Sequence, residues 1–175
     1  MKISVKKLVT GALMAALCCI ATMVIQIPLP VGGYVHPGDM AVFLCAFIPG
    51  GWIGAFAAGL GSCLADIFTG YAFYALPTFI IKALMALTVY YIVRNRNPLS
   101  FYTILATVAG ALIMMVGYFI VDYVILGSVE GGVVMALFGS WAQGAFGVVA
   151  SYLVLIPLAK SGLLKRYHNL KQDRK

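Results

Sequence analysis

The charged side chains of this chain are confined to a few short segments, and this pattern limits its possible folds more than any other feature. Eleven of the 12 lysine and arginine residues lie in three clusters: Lys2 to Lys7, Arg94 to Arg96, and Lys160 to Lys175. The intervening runs are apolar; the chain is 63% hydrophobic, with a mean hydropathy of +1.01. Because about 20 apolar residues cross a hydrocarbon core roughly 30 Å thick as a helix, this pattern predicts an integral membrane protein.

The net charge of +7 does not indicate a nucleic-acid-binding protein, because the basic residues flank apolar runs instead of covering one face. Such flanking clusters are typical of cytoplasmic loops and also contact anionic lipid headgroups. The first apolar run, Leu8 to Ile27, is longer than the 7–15 residues typical of a signal peptide, so we expect a retained helix. The four cysteines form no CxxC pair and are expected to pack as small apolar residues.

The pattern of apolar runs and breaks predicts an all-α membrane protein, a compact bundle of six transmembrane helices in one domain over residues 1–175. The predicted helices are Lys7–Ile27, Pro37–Ile48, Trp52–Phe68, Ala75–Val93, Phe101–Leu126 and Val133–Ala159. An even number of spans places all three basic clusters on one side, with both termini in the cytoplasm. The second helix is short for a span, so it could be tilted or partly buried.

Lys82 is the charged residue that most needs an explanation, because it lies about seven residues into the fourth helix, roughly 10 Å from its outer end. A lysine at that depth requires a carboxylate, a cavity or a route to the interface. Either Asp39 or Asp66 could pair with it. Such a pair would either fix packing or line a substrate pocket. Asp39 could instead cap the second helix, since a carboxylate suits the first turn.

Other polar residues are expected near the same outer half of the bundle. Asp66 lies one turn after Ser62, and Asp122 one turn after Tyr118. Gln143 is an amide within an apolar helix and needs a partner, either a ligand or a neighbouring helix. The aromatic residues of the 71–74 segment could form an interfacial belt or stack on a flat heterocycle. The candidate substrate-binding residues are Asp39, Asp66, Tyr74, Lys82, Tyr118, Asp122, Gln143, His36 and Trp141.

Motifs for catalysis and nucleotide binding are missing from the sequence. It contains no GxxxxGK[ST] phosphate loop, no HExxH and no GxSxG. With two histidines, a histidine-rich metal site is excluded, and we expect neither a metal nor another cofactor. We therefore expect a transport protein without its own ATPase site, not an enzyme. Energy for uphill transport would have to come from ion coupling or from another subunit.

Several segments together resemble the substrate-binding S component of energy-coupling factor (ECF) vitamin transporters. The second helix begins with an aspartate, and the first helix carries the pair Ala12 and Ala16 four residues apart. The similar segments are Tyr34-Val35-His36-Pro37-Gly38-Asp39, Gly59-Leu60-Gly61-Ser62-Cys63-Leu64-Ala65-Asp66, Gly70-Tyr71-Ala72-Phe73-Tyr74-Ala75-Leu76-Pro77-Thr78 and Ile80-Ile81-Lys82-Ala83. The resemblance covers nearly the whole chain and is greatest for the riboflavin, hydroxymethylpyrimidine and pyridoxine carriers.

This resemblance implies a vitamin-binding subunit in the bacterial cell membrane, with a pocket that opens outward. It implies two kinds of partner, a transmembrane coupling subunit and two cytoplasmic ATPases that supply energy. Ala12 and Ala16 match the family's docking surface for the coupling subunit. The family mechanism is a toppling of the S component that carries the bound vitamin inward.

Two other functions are compatible with the residues. A membrane enzyme could use Asp66, Asp122 and His36 as acids and bases, although no nucleophile or metal set accompanies them. A small ion-coupled transporter acting alone would often show internal repeats with broken helices. No convincing repeat relates the two halves of this chain, but the short second helix keeps that alternative open.

Overall fold

The structure is a computed structural model that describes residues 4–28, 34–126 and 139–162. Within these residues the chain forms six α-helices, a 3₁₀ turn at Ala72–Tyr74 and one pair of two-residue strands. The helices are α1 (Val5–Val24), α2 (Gly38–Phe47), α3 (Gly51–Phe68), α4 (Ala75–Val93), α5 (Phe101–Leu126) and α6 (Trp141–Lys160). All but α2 are long and apolar enough to cross a membrane, which confirms a multi-pass helical protein.

The predicted boundaries of α4 and α5 agree with the structure, whereas the predicted end of the first helix is wrong. The helix ends at Val24, and Ile27–Pro28 pairs with Tyr34–Val35 as a short antiparallel strand. Ile27 precedes a proline, which disfavours helical backbone angles and favours extended ones. The predicted start of the sixth helix at Val133 lies outside the described residues.

The short α2 lies at the centre of the bundle. It contacts α1, α3, α4 and α6, and nine of its ten residues are buried. Ten residues rise about 15 Å, roughly half the hydrocarbon core, so α2 does not cross the membrane alone. Gly50 and Gly51 follow it with φ of 61° and 58°, left-handed angles that favour glycine and turn the chain sharply into α3.

Close contacts between backbones hold the helices together. A Cβ atom on Gly61 of α3 would overlap the carbonyl oxygen of Ala15 in α1, and one on Gly54 would overlap the carbonyl oxygen of Cys45 in α2. In lipid, helices associate by such packing, because the surrounding acyl chains are as apolar as the helix surfaces. The small residues of α3 therefore pack within the chain.

Contacts along the helices bring the described basic residues other than Lys82 to one end of the bundle. α1 and α3 run parallel, since Gly11 meets Ile53 and Cys18 meets Gly61. The hydroxyl of Tyr152 in α6 donates to the Leu99 carbonyl, just before α5, at 3.2 Å. The start of α1, the end of α4 and the end of α6 thus lie at the same end. The basic residues at that end are Lys6, Lys7, Arg94, Arg96 and Lys160.

Candidate functional site

Three side-chain pairs at successive turns join α5 to α4 and to Tyr74, the residue just before α4. They are Tyr74–Asp122, where the hydroxyl donates to Oδ1 at 3.0 Å, Thr78–Tyr118, whose hydroxyls share a hydrogen bond of 2.9 Å, and Lys82–Met114, where Nζ lies 3.0 Å from Sδ. We call these six residues the polar ladder. The members on each helix are four residues apart, so successive rungs are about 6 Å apart and the ladder is about 12 Å long. It places polar groups inside an otherwise apolar bundle.

The inner end of the polar ladder carries a buried ion pair. Lys82 Nζ donates to Asp39 Oδ1, and the two residues are only 3% and 0% exposed. Of the two predicted carboxylate partners, Asp39 is therefore the one that pairs. The interpretation of Asp39 as a helix cap is wrong, because its Oδ2 accepts a hydrogen bond of 3.0 Å from Gln143 Nε2 and no side chain among the described residues caps α2. Burying a charge is costly unless an opposite charge lies beside it. Loss of either partner would therefore leave the other charge buried and uncompensated.

Gln143 holds the segment before α2 against α6. Its Oε1 accepts a hydrogen bond from the His36 backbone N–H at 2.8 Å, and its Nε2 donates to the His36 carbonyl at 3.0 Å. The side-chain amide thus binds both backbone groups of His36, as the backbone of an adjacent β-strand would. Together with its bond to Asp39, Gln143 links the 34–36 segment, α2 and α6. Its predicted need for a partner is met within the chain.

The half-buried His36 is neutral at physiological pH. Its Nδ1 accepts a hydrogen bond from the Gly38 N–H at 3.1 Å, so the ring proton resides on Nε2. Burial lowers the pKa of His36 from 6.5 to about 4; nearby Lys82 lowers it further, and Asp39 opposes the shift. His36 therefore acts as a hydrogen-bond acceptor toward Gly38 above that pH.

Asp66 approaches the polar ladder from α3, beside Thr78. The residue is 9% exposed, and its buried Oδ2 has no hydrogen-bond partner among the described residues. Its backbone carbonyl accepts from the Tyr71 N–H at 2.8 Å, which fixes the start of the α3–α4 connection. A buried carboxylate oxygen without a partner is energetically costly and marks a place where a donor would bind.

The structure brings most of the predicted site residues into one column and leaves one outside it. Trp141 lies two residues from Gln143, on another face of α6, and is 63% exposed beside an apolar groove between α5 and α6. Its predicted contact with a substrate stays a prediction. The residues along the column are His36, Asp39, Asp66, Tyr74, Lys82, Tyr118, Asp122 and Gln143.

Thr78 and Met114 belong to the polar ladder but were missed by sequence reasoning. A signal was present, since Thr78 lies one turn after Tyr74 and one turn before Lys82. Met114 precedes Tyr118 by the same spacing, but a methionine in an apolar helix is more often a packing residue. Their role depends on the register between α4 and α5, which the sequence does not specify.

The aromatic residues between α3 and α4 are largely exposed. Phe73 is 91% exposed and Tyr71 47%, and they follow Gly70, whose φ of +88° turns the chain. Tyr74 is half-buried and directed to Asp122. The prediction that this segment stacks on a heterocycle is compatible with its exposure and stays a prediction.

A second surface feature is an apolar groove of about 640 Å³ on the side of the bundle, between α1, α3 and α4. Ala12 and Gly11 line it on α1, opposite Trp52, Phe56 and other apolar residues. Both predicted docking residues, Ala12 and Ala16, are exposed. A small side chain at this position leaves room for another helix to approach closely.

Comparison with known proteins agrees with this architecture. The family model described as ECF-type riboflavin transporter, S component, matches residues 2–160, nearly the whole chain. A protein of Pyrococcus woesei, described as "Uncharacterized protein in gap 3'region", is 34% identical over 131 residues. The matched part is 74% of this chain and 86% of that protein. That relative's description carries no function, so the functional comparison rests on the family match.

Proposed function

The chain belongs to the family of S components of ECF-type riboflavin transporters, and from this membership we propose that it captures riboflavin, or a vitamin of that class, outside the cell. Family membership makes it the substrate-binding subunit of a vitamin transporter, a transport subunit and not a catalytic enzyme. Hydroxymethylpyrimidine and pyridoxine are the other members of the proposed substrate class. The whole chain acts in this proposal as a single membrane domain.

The observation that carries the proposal is the column of polar side chains inside the apolar bundle. Ionisable groups within membrane spans are costly and usually mark a substrate or ion pathway. Asp66, Tyr74, Tyr118 and Asp122 supply carboxylate and phenol groups that suit ring nitrogens and hydroxyls. In our proposal the inner group of Asp39, Lys82, Gln143 and His36 completes the wall of the pocket.

We further propose that a transmembrane coupling subunit docks on the groove between α1, α3 and α4. Exposed Ala12 and Ala16 would admit one of its helices, and the groove is lined almost wholly by apolar atoms. Two cytoplasmic ATPases would drive the cycle through that subunit. This arrangement would supply the energy that a chain without a phosphate loop lacks.

The orientation follows from the basic residues at one end of the bundle. We propose that this end faces the cytoplasm of a bacterial cell, as the excess of lysine and arginine in cytoplasmic loops requires. Both termini would then be cytoplasmic, and the outer rung of the polar ladder, Tyr74–Asp122, would lie toward the outside. A water-soluble vitamin would enter from that side.

The proposal is tested by ligand binding to the purified chain in detergent, without any partner. We expect riboflavin, hydroxymethylpyrimidine or pyridoxine to raise the unfolding temperature, because a ligand that binds only the folded state stabilises it by about 2.7 kcal/mol at a hundredfold excess over Kd. A folded protein stabilised by none of the three would contradict the proposed substrate class. Uptake in vesicles without any ATPase partner would favour an ion-coupled carrier instead.

A further inference from the structure

Most hydrogen-bonding groups of the column are already used within the chain, and Asp66 is different. Both oxygens of Asp39 accept hydrogen bonds, one from Lys82 and one from Gln143. The Gln143 amide uses its oxygen and its nitrogen on the backbone of His36 as well. Asp66 Oδ2 is buried without a partner in the described part of the chain. A donor from outside the chain would satisfy it.

The groups next to Asp66 are hydroxyls. Thr78 lies beside the carboxylate and is itself 2% exposed, and its hydroxyl shares a hydrogen bond with the Tyr118 hydroxyl. One rung further out, the Tyr74 hydroxyl donates to Asp122. A row of two carboxylates and three hydroxyls, with rungs about 6 Å apart, can exchange hydrogen bonds with a chain of alcohols, since each alcohol both donates and accepts.

We propose that Asp66, with Thr78 and Tyr118, forms a subsite for a polyhydroxyl chain of the ligand, in which Asp66 Oδ2 accepts a hydrogen bond from a ligand hydroxyl. This inference rests on the proposed function and adds the part of the ligand that the subsite binds. In riboflavin that part is the ribityl chain, whereas the flat ring system carries an imide.

The imide of the ring is a poorer match for this subsite. An imide offers an N–H between two carbonyl oxygens and is best matched by an amide, which both donates and accepts. The amide of the column, Gln143, is occupied by the His36 backbone and by Asp39. A carboxylate accepts only, and beside the imide N–H it would face the two flanking carbonyl oxygens without a donor for them.

The test is a comparison of two ligands with two variants. Lumiflavin keeps the ring system but lacks the polyhydroxyl chain, and binding of both flavins is measured by quenching of their fluorescence. Asp66→Asn preserves the shape of the side chain and replaces an accepting oxygen by a donating amide. We expect this variant to bind riboflavin about 10- to 100-fold more weakly, as loss of a hydrogen bond to a charged group implies. Its affinity for lumiflavin is expected to change by less than about threefold.

Ser62→Ala is the matched control, because Ser62 is buried one turn earlier on the same face of α3. It should bind both flavins as the wild type does. Unchanged lumiflavin binding also shows that Asp66→Asn is folded; if that variant is unstable, Asp66→Ser provides the same comparison with a side chain too short to reach the hydroxyl.

Each other outcome overturns the inference in a distinguishable way. Equal losses for riboflavin and lumiflavin in folded Asp66→Asn would mean that Asp66 contacts the ring or supports the whole pocket. An unchanged affinity for riboflavin would place the polyhydroxyl chain elsewhere while leaving the proposed function intact. If the wild-type protein bound pyridoxine or hydroxymethylpyrimidine but no flavin, the ribityl subsite would be contradicted. If it bound none of these ligands, the proposed function would be contradicted too.

Discussion

At the scale of single residues, the buried pair of Lys82 and Asp39 is the interaction whose loss should cost most. Lys82→Met leaves the fully buried Asp39 carboxylate without its cation, and we expect a loss of about 3–5 kcal/mol of stability. The double variant Lys82→Met/Asp39→Asn removes both charges and keeps an acceptor for Gln143, so it should recover most of that loss. Thermal unfolding in detergent measures both.

The exposed Lys160 provides a control for the loss of a positive charge. Lys160→Met should change the free energy of unfolding by less than about 0.5 kcal/mol, because surface charges contribute little. A single variant Lys82→Met as stable as the wild type would show that the ion pair does not stabilise the bundle.

His36 should make stability depend on pH. Its pKa in the folded state, about 4, lies below its ordinary value of 6.5, so the unfolded chain binds more protons between these values. We therefore expect the unfolding temperature to be highest above pH 6.5 and to fall as the pH decreases from 6.5 toward 4. Protonation also removes the Nδ1 acceptor used by Gly38.

The variant His36→Asn separates this effect from other titrating groups. Asparagine can present an oxygen near the position of Nδ1 but does not titrate. The unfolding temperature of the variant should therefore fall less between pH 6.5 and pH 4 than that of the wild type. If the unfolding temperatures of the two proteins depended on pH in the same way, the assignment of this pH dependence to His36 would be contradicted.

Polar residue types were predictable from the sequence, but their pairing was not. Lys82, Asp39 and Gln143 were identified because ionisable and amide groups are costly in apolar helices. The sequence did not distinguish Asp39 from Asp66 as the partner of Lys82, since which carboxylate reaches the lysine depends on the depth of α2 in the bundle. Asp39 is 43 residues from Lys82 and 104 from Gln143, and no local pattern encodes such contacts.

At the scale of helices, glycine contacts determine how closely α1 and α3 approach. Gly61→Ala adds a Cβ atom that overlaps the Ala15 carbonyl oxygen and lies 2.7 Å from Cys18 Cβ. Such overpacking against backbone typically costs about 1–3 kcal/mol, and we expect a loss of at least this size in thermal unfolding. Gly139→Ala is the matched control, because no atom of the described residues lies within 4 Å of the added atom. Equal stability of the two variants would show that α1 and α3 do not pack this closely.

Helix bounds were predictable wherever a long apolar run ended at charged or helix-breaking residues. α4 was predicted correctly because Arg94 to Pro98 follow it, and α5 because Phe101 begins a new apolar run. The end of the first helix was predicted three residues too late, since Ile25 and Ile27 are apolar in sequence whether they are helical or extended. The strand pairing that decides this, Ile27 with Val35, is a tertiary contact.

At the scale of the whole molecule, the two ends of the bundle should differ in their accessibility. Asn95→Cys lies in the exposed connection between α4 and α5, and Phe73→Cys replaces a residue that is 91% exposed between α3 and α4. In right-side-out vesicles we expect a membrane-impermeant thiol reagent to label Phe73→Cys but not Asn95→Cys, with the reverse in inside-out vesicles. Wild-type protein gives the background from the four natural cysteines. The opposite labelling pattern would invert the proposed orientation.

Capture and delivery should be separable, because the polar ladder and the apolar groove use different surfaces of the molecule. The ladder lies between α4 and α5, whereas Ala12 lines the groove between α1, α3 and α4. Ala12→Leu would fill the groove without contacting the polar column. We expect riboflavin affinity in detergent to stay within about threefold of the wild type, since no ladder contact changes.

Vitamin uptake in cells that contain the coupling module should, by contrast, fall by at least about tenfold for Ala12→Leu, because a bulky side chain prevents close approach of a partner helix. Leu13→Phe is the matched control, as Leu13 is 66% exposed on α1 but does not line the groove. Normal uptake by Ala12→Leu would move the docking surface to another face. A loss of both binding and uptake would show that the groove and the ligand site act as one unit.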